Sequence, residues 1–137
     1  MRSVTIGVFI ILGLFSLFNT ISGAEAEDKA VAPKTDQTPS LQTGVNTYNR
    51  YCTPCHGLKG AGDGFNAKRL YVKPADHTDA KYMATRSDDK LFSVINQGGK
   101  GISKSTLMPP WGAAIGDVKI KSLIIKLRDL CKCSGAK

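Results

Sequence analysis

Five residues near the middle of the chain, Cys52-Thr53-Pro54-Cys55-His56, constrain its fold more than anything else in the sequence. Two thiols three positions apart share one turn, and an imidazole follows at once. A turn of this kind can hold a redox dithiol, a metal or a covalently attached cofactor. A thioredoxin-like dithiol belongs in a βαβ context, and nothing here alternates at period two for long. A structural zinc site needs four ligands from two clusters, but the other cysteines, Cys131 and Cys133, come without a histidine.

The spacing C-x-x-C-H is the attachment signal for c-type haem. Each thiol adds its sulfur and hydrogen across one vinyl group, and the histidine is then held beneath the same macrocycle with its imidazole on the iron. Cys52, Cys55 and His56 are therefore expected to carry one covalent haem c. Composition agrees with that need. Aromatic residues make up 7% of 137 residues and Trp occurs once, so side chains alone make a modest core, which a haem can complete. A (β/α)₈ barrel is excluded by length.

The chain divides by composition. Arg2 precedes an apolar run from Val4 to Phe18, which passes into small and polar residues up to Ala24 and Ala26. This is the pattern of a secretory signal peptide over residues 1–24, with Ala26 as a second cleavage point. The alternative is an uncleaved anchor, since Val4 to Ile21 is about the minimum span for a bilayer. Gly7, Gly13, Ser16 and Asn19 weaken such a span. Either way the remainder is expected to be exported. Residues 25–42 are polar and aperiodic, and they read as a disordered linker with net charge −2. From Leu41 onward sixteen Lys and Arg oppose seven Asp, so the basic character belongs to a domain at 43–133, followed by a short tail at 134–137.

Within that domain three segments have helical signals. Thr43 to Tyr51 puts Val45, Tyr48 and Cys52 on one face, with Thr43 as the expected N-cap. Ser87 caps a second segment with Asp88 and Asp89 at its positive end and Gly98 as its stop. From Asp117 to about Cys131, Ile120, Leu123, Ile124, Leu127, Leu130 and Cys131 form one apolar stripe. The fold class predicted is all-α, three to five helices, with long loops that need something to pack against.

With these residues in view, the domain resembles a class I c-type cytochrome of the short bacterial monohaem type. Gly44, Tyr48, Cys52 to Gly57, Gly60 and Gly62-Asp63-Gly64 are similar to the family's first half. Thr106-Leu107-Met108-Pro109-Pro110-Trp111-Gly112 resembles its distal-ligand loop, and Asp117 to Leu130 its last helix. The resemblance spans about ninety residues, Leu41 to Leu130, and implies the cytochrome c fold around one haem.

The iron needs an occupant opposite His56, and His77, Met83 and Met108 are the candidates. His77 follows Pro74-Ala75-Asp76 and reads as a surface loop residue, while Met83 reads as core packing. Met108 precedes two prolines, which hold the chain extended and present a thioether at a fixed point. The family uses Met-Pro here, so Met108 is the expected ligand. The resemblance also implies that the Pro74 carbonyl accepts a hydrogen bond from His56, that Arg69 and Trp111 contact haem propionates, and that Gly44 lets the first and last helices cross closely, opposite residues 123–127. Gly57, Gly60, Gly62 and Gly64 suit tight turns or backbone close to the ring.

The function expected is single-electron transfer by an exported, monomeric carrier, not an enzyme, because protein ligands on both faces leave no open position on the iron. Lys59, Lys68, Lys100 and Lys104 lie in loops expected to border the haem edge and to steer it toward acidic patches on redox proteins. Nucleic acid is not an expected partner. The alternatives are a haem subunit held permanently in a membrane oxidoreductase complex, and an enzyme or gas sensor with a displaceable sixth ligand. Cys131-Lys132-Cys133 departs from the family pattern; it is expected to form a disulfide within the chain, or a dimer bridge through Cys133.

Overall fold

The computed structural model describes residues 38–136. The expected leader (1–24) and residues 25–37 of the expected linker (25–42) lie outside the described residues, and the last two linker residues, Leu41 and Gln42, are already helical. The first helix, α1, runs Leu41–Tyr51. Its cap is Ser40, whose Oγ accepts from the Thr43 amide at 3.1 Å, so the helix starts two residues before the expected point. Thr43 sits in the first turn instead, its hydroxyl accepting from Ser40 Oγ at 2.9 Å. Cys52 ends α1 and opens the one-turn helix α2, Thr53–His56, in which Pro54 occupies the first turn, where its missing N–H costs nothing.

Two short turns of 3₁₀ helix, Ala67–Arg69 and Lys100–Ile102, punctuate the loops. Helix α3 spans Ala80–Ala84 behind an Asp79 cap. Helix α4 spans Asp88–Gln97, capped by Ser87 Oγ on the Lys90 amide and stopped by Gly98 at φ 70°, as its sequence predicts. Helix α5 spans Gly112–Cys131. Gly116 breaks it at φ 74°, so a single turn precedes a regular helix that begins at Asp117, where the apolar stripe begins. No strand occurs among the described residues, and the chain is all-α.

The frame is the crossing of α1 over α5, with α4 packed against α5. At the crossing a Cβ on Gly44 would overlap the backbone carbonyl of Ser122, so only glycine permits the approach. The close point is thus Ser122, one residue before the stretch expected. Ser122 is fully buried; its hydroxyl donates to Val118 O at 2.8 Å and accepts from the Ser40 amide at 3.1 Å, so its polar atom is satisfied. Tyr48, Met83, Leu91, Ile95, Ile120, Leu123, Ile124, Leu127 and Cys131 form the core. Each fully buried aliphatic side chain contributes roughly 1.5–3 kcal/mol.

A second tie is polar. Arg128 of α5 donates to the carbonyls of Met83 and Arg86 and to Asp88 Oδ1, joining the last helix to the turn between α3 and α4. Just beyond it Cys131 and Cys133 pair as a disulfide with their Cα atoms 5.2 Å apart. The bridge therefore closes within the chain, which leaves no thiol on Cys133 to link two copies.

Candidate functional site

Cys52, Cys55 and His56 are brought together by the junction of α1 and α2. The amides of Cys55 and His56 both bond to Cys52 O, at 3.2 and 2.9 Å, which places the thiols and the imidazole on one turn. The following loop then closes over that turn. Gly62 N donates to His56 O, Gly64 N to Cys55 O and Asn66 N to Pro54 O, so carbonyls left over at the end of so short a helix are satisfied. Both cysteines are half-buried on this turn, where each thiol would add across one vinyl group of a haem.

His56 Nδ1 donates to Ala75 O at 3.0 Å; a carbonyl only accepts, so the bond fixes the tautomer and leaves the lone pair on Nε2. The acceptor is one residue past Pro74. In an extended segment successive carbonyls point to opposite sides, and that of Pro74 faces Gly62, where an added Cβ would lie 2.6 Å from it. The partner of His56 is thus the carbonyl of Ala75 and not that of Pro74. Burial lowers the His56 pKa, opposed by the Ala75 bond, which keeps the imidazole in its neutral, ligating form.

His77 is not the surface residue expected. Its ring stacks on that of His56, centroids 4.2 Å apart and planes 17° apart, and its Nδ1 lies 3.0 Å from the Tyr48 hydroxyl. This puts it beside the proximal imidazole. Burial, then the adjacent His56, pushes its pKa down to about 3, so the ring is neutral. Burial above all holds the Tyr48 hydroxyl well above the usual phenol range, and it keeps its proton.

Above the turn opens a cavity of about 730 Å³, lined mainly by apolar side chains from every part of the domain. Cys52, Cys55, His56, Met108 and Trp111 all line it, as do Pro74 and the core residue Met83. Met108 is half-buried, and its carbonyl accepts from Gly99 N at 3.0 Å, which ties the Met-Pro-Pro loop to the end of α4. Trp111 is fixed by its amide on Ile95 O at 3.0 Å and by the Tyr51 ring at 5.2 Å.

Arg69 does not reach the cavity. It stands exposed on the 3₁₀ turn whose buried side is Ala67, so that turn directs both Lys68 and Arg69 outward. The arginine at the cavity is Arg86. Its guanidinium lies 4.6 Å from the Tyr82 ring centroid, and its buried Nε has no hydrogen-bond partner among the described residues. An orphaned cationic donor beside an apolar cavity is what a carboxylate-bearing macrocycle would satisfy. Together with paired thiols and a neutral imidazole on one wall, it makes the site fit a haem. Arg86, Ala75 and Tyr48 were not picked out as site residues by motif. Arg86 had one signal: a cation directly before the Ser87 cap faces the positive end of α4, where the helix itself gives no reason for it.

The sequence family described as cytochrome c oxidase, cbb3-type, subunit III matches residues 39–125. No curated protein matches the chain. Among solved structures it is similar to a chain of the Kuenenia stuttgartiensis reducing HAO-like protein complex Kustc0457/Kustc0458, at 27% identity and a TM-score of 0.55. That match covers 66% of this chain and 42% of the other, so this chain spans less than half the length of that relative. The c-type cytochrome KustC0563 shares the fold, with a TM-score of 0.52 and 24% identity over 64% of this chain and 95% of that one. A variant of KustC0563 gives 0.52 and 23%, over 64% and 98%. The family match covers more than half of the chain, attachment turn included, so the chain belongs to the cbb3-type subunit III family and is a class I c-type cytochrome that carries covalent haem c.

Proposed function

We propose that this protein is an exported monohaem carrier of single electrons. The observation that carries the reading is that His56 and Met108, far apart in the sequence, line one apolar cavity that is also lined by both attachment cysteines. The haem supplies the Fe(III)/Fe(II) couple. The chain's own residues determine how that couple is used. Cys52 and Cys55 would hold the ring, His56 would offer Nε2 to the iron, and Met108 would offer its thioether, a pairing that would favour the ferrous state relative to two histidines. Arg86 and Trp111 are the donors suited to the propionates. With His56 and Met108 both bound to the iron, no coordination position would be left for oxygen or peroxide, which supports electron transfer as the use of the couple.

The exposed Lys59, Lys68, Lys100 and Lys104 make no ion pair among the described residues, and Lys104 stands at the cavity. They suit an acidic patch on a redox partner, with association that weakens as salt rises. The test is a reduced-minus-oxidised visible spectrum with an intact mass. A low-spin spectrum with the methionine–iron band, a mass increased by one haem and no carbon monoxide binding by the reduced protein are expected. A high-spin ferric form, or ready binding of carbon monoxide, would sink the reading.

A second reading is a haem subunit fixed in a larger oxidoreductase. It is supported by the description of the matching family as an oxidase subunit and by the similar chain in a multiprotein complex. No helix among the described residues is long and apolar enough to cross a membrane. The N-terminal mass of the mature protein and its distribution between membrane and soluble fractions separate the two readings.

A further inference from the structure

His77 has no part in the reading above, yet it lies flat against the proximal histidine. It is held from several sides. Its amide donates to Gly60 O at 2.7 Å, its Nδ1 meets the Tyr48 hydroxyl at 3.0 Å, and the Tyr48 ring presents an edge to it at 5.8 Å and 69°. Tyr48 has 0% exposure on α1, the helix that crosses α5 closely at Gly44, so the support behind His77 is itself packed in the core. Among the described residues the hydroxyl has no other acceptor, so it donates to Nδ1.

This arrangement addresses a freedom that the Ala75 bond leaves. One hydrogen bond fixes Nδ1 of His56 but permits the ring to rock about the Nδ1–H···O line. A flat partner at 4.2 Å on one face resists that rocking. An aliphatic side chain would fill the same space without a buried polar atom to satisfy, whereas the imidazole needs Tyr48 as its partner.

We propose that His77, pinned by Tyr48, is a positioning residue that sets the angle of the His56 imidazole plane above the haem. This rests on His56 as the iron's axial ligand. A fixed axial ring changes little between oxidation states, which keeps the reorganisation that accompanies each electron small.

The test uses haem-loaded protein in the wild-type, His77→Leu, His77→Phe and Tyr48→Phe forms. Ferric g-values and the hyperfine-shifted haem-methyl resonances report the ring angle, and far-UV circular dichroism with thermal unfolding reports the fold. His77→Leu should redistribute the methyl shifts and alter the g-anisotropy. His77→Phe, which keeps a flat face, should stay near wild type, and Tyr48→Phe should broaden the pattern as the brace loosens. A His77→Leu protein with the wild-type g-values and methyl pattern would overturn the proposal and make His77 a space-filler. Should that variant not accumulate, an unchanged pattern in Tyr48→Phe overturns it equally. Failure of the underlying assignment looks different, because wild-type protein itself would then lack the low-spin histidine-ligated signature.

Discussion

The carbonyl of Ala75 decides which nitrogen of His56 is free, while that of Pro74 is turned toward Gly62. Functional residues here divide into those that present an atom and those that point one. On the proposed ligation Met108 belongs to the first group. Met108→Ala should give a high-spin ferric spectrum and a reduced form that binds carbon monoxide, with the covalent haem retained. Arg86 gives a second expectation. Removing a cation beside the ring favours the ferric charge, so Arg86→Gln should lower the midpoint potential, while Arg69→Gln, out on its exposed turn, should leave it in place. Potentiometric titration of the two variants checks this. The attachment turn and the Met-Pro loop were legible because their chemistry is local in sequence. Arg86 and the His77–Tyr48 pair were not, because each acquires its role only from a contact made across the fold.

Among the helices, legibility followed length and capping. The second and last segments, each with a cap or glycine punctuation and a clear stripe, begin and end close to where their sequences predict. Helices α2 and α3, of four and five residues, are too short to show a period and exist because neighbours hold them. Arg128 shows how such holding works. It joins α5 to the Met83 carbonyl of α3 and to the Arg86 carbonyl in the turn before α4, so Arg128→Ala should destabilise the protein by about 2–3 kcal/mol, as part-buried carbonyls lose a charged donor. Asp88 is 64% exposed, and Asp88→Ala should cost less than about 1 kcal/mol. Denaturant titration of the two variants would separate the carbonyl bonds from the ion pair.

Over the whole molecule, a small helical frame surrounds a cavity of about 730 Å³ that its own side chains do not fill. Haem is then part of the core as much as the working group. A chain in which Cys52 and Cys55 are both replaced by Ser should lose tertiary near-ultraviolet dichroism and a large part of its helix signal at 25 °C, whereas the holo form should unfold cooperatively. The formal charge of +8 was visible at once. Its distribution was not, since only the fold shows Lys68 and Arg69 turned outward together.

The strap formed by residues 62–66 has one more implication. Its amides take the carbonyls of Pro54, Cys55 and His56. Helix α2 has only four residues, too few to hold a helical turn unaided, so the strap rather than α2 itself keeps both thiols and the imidazole in register.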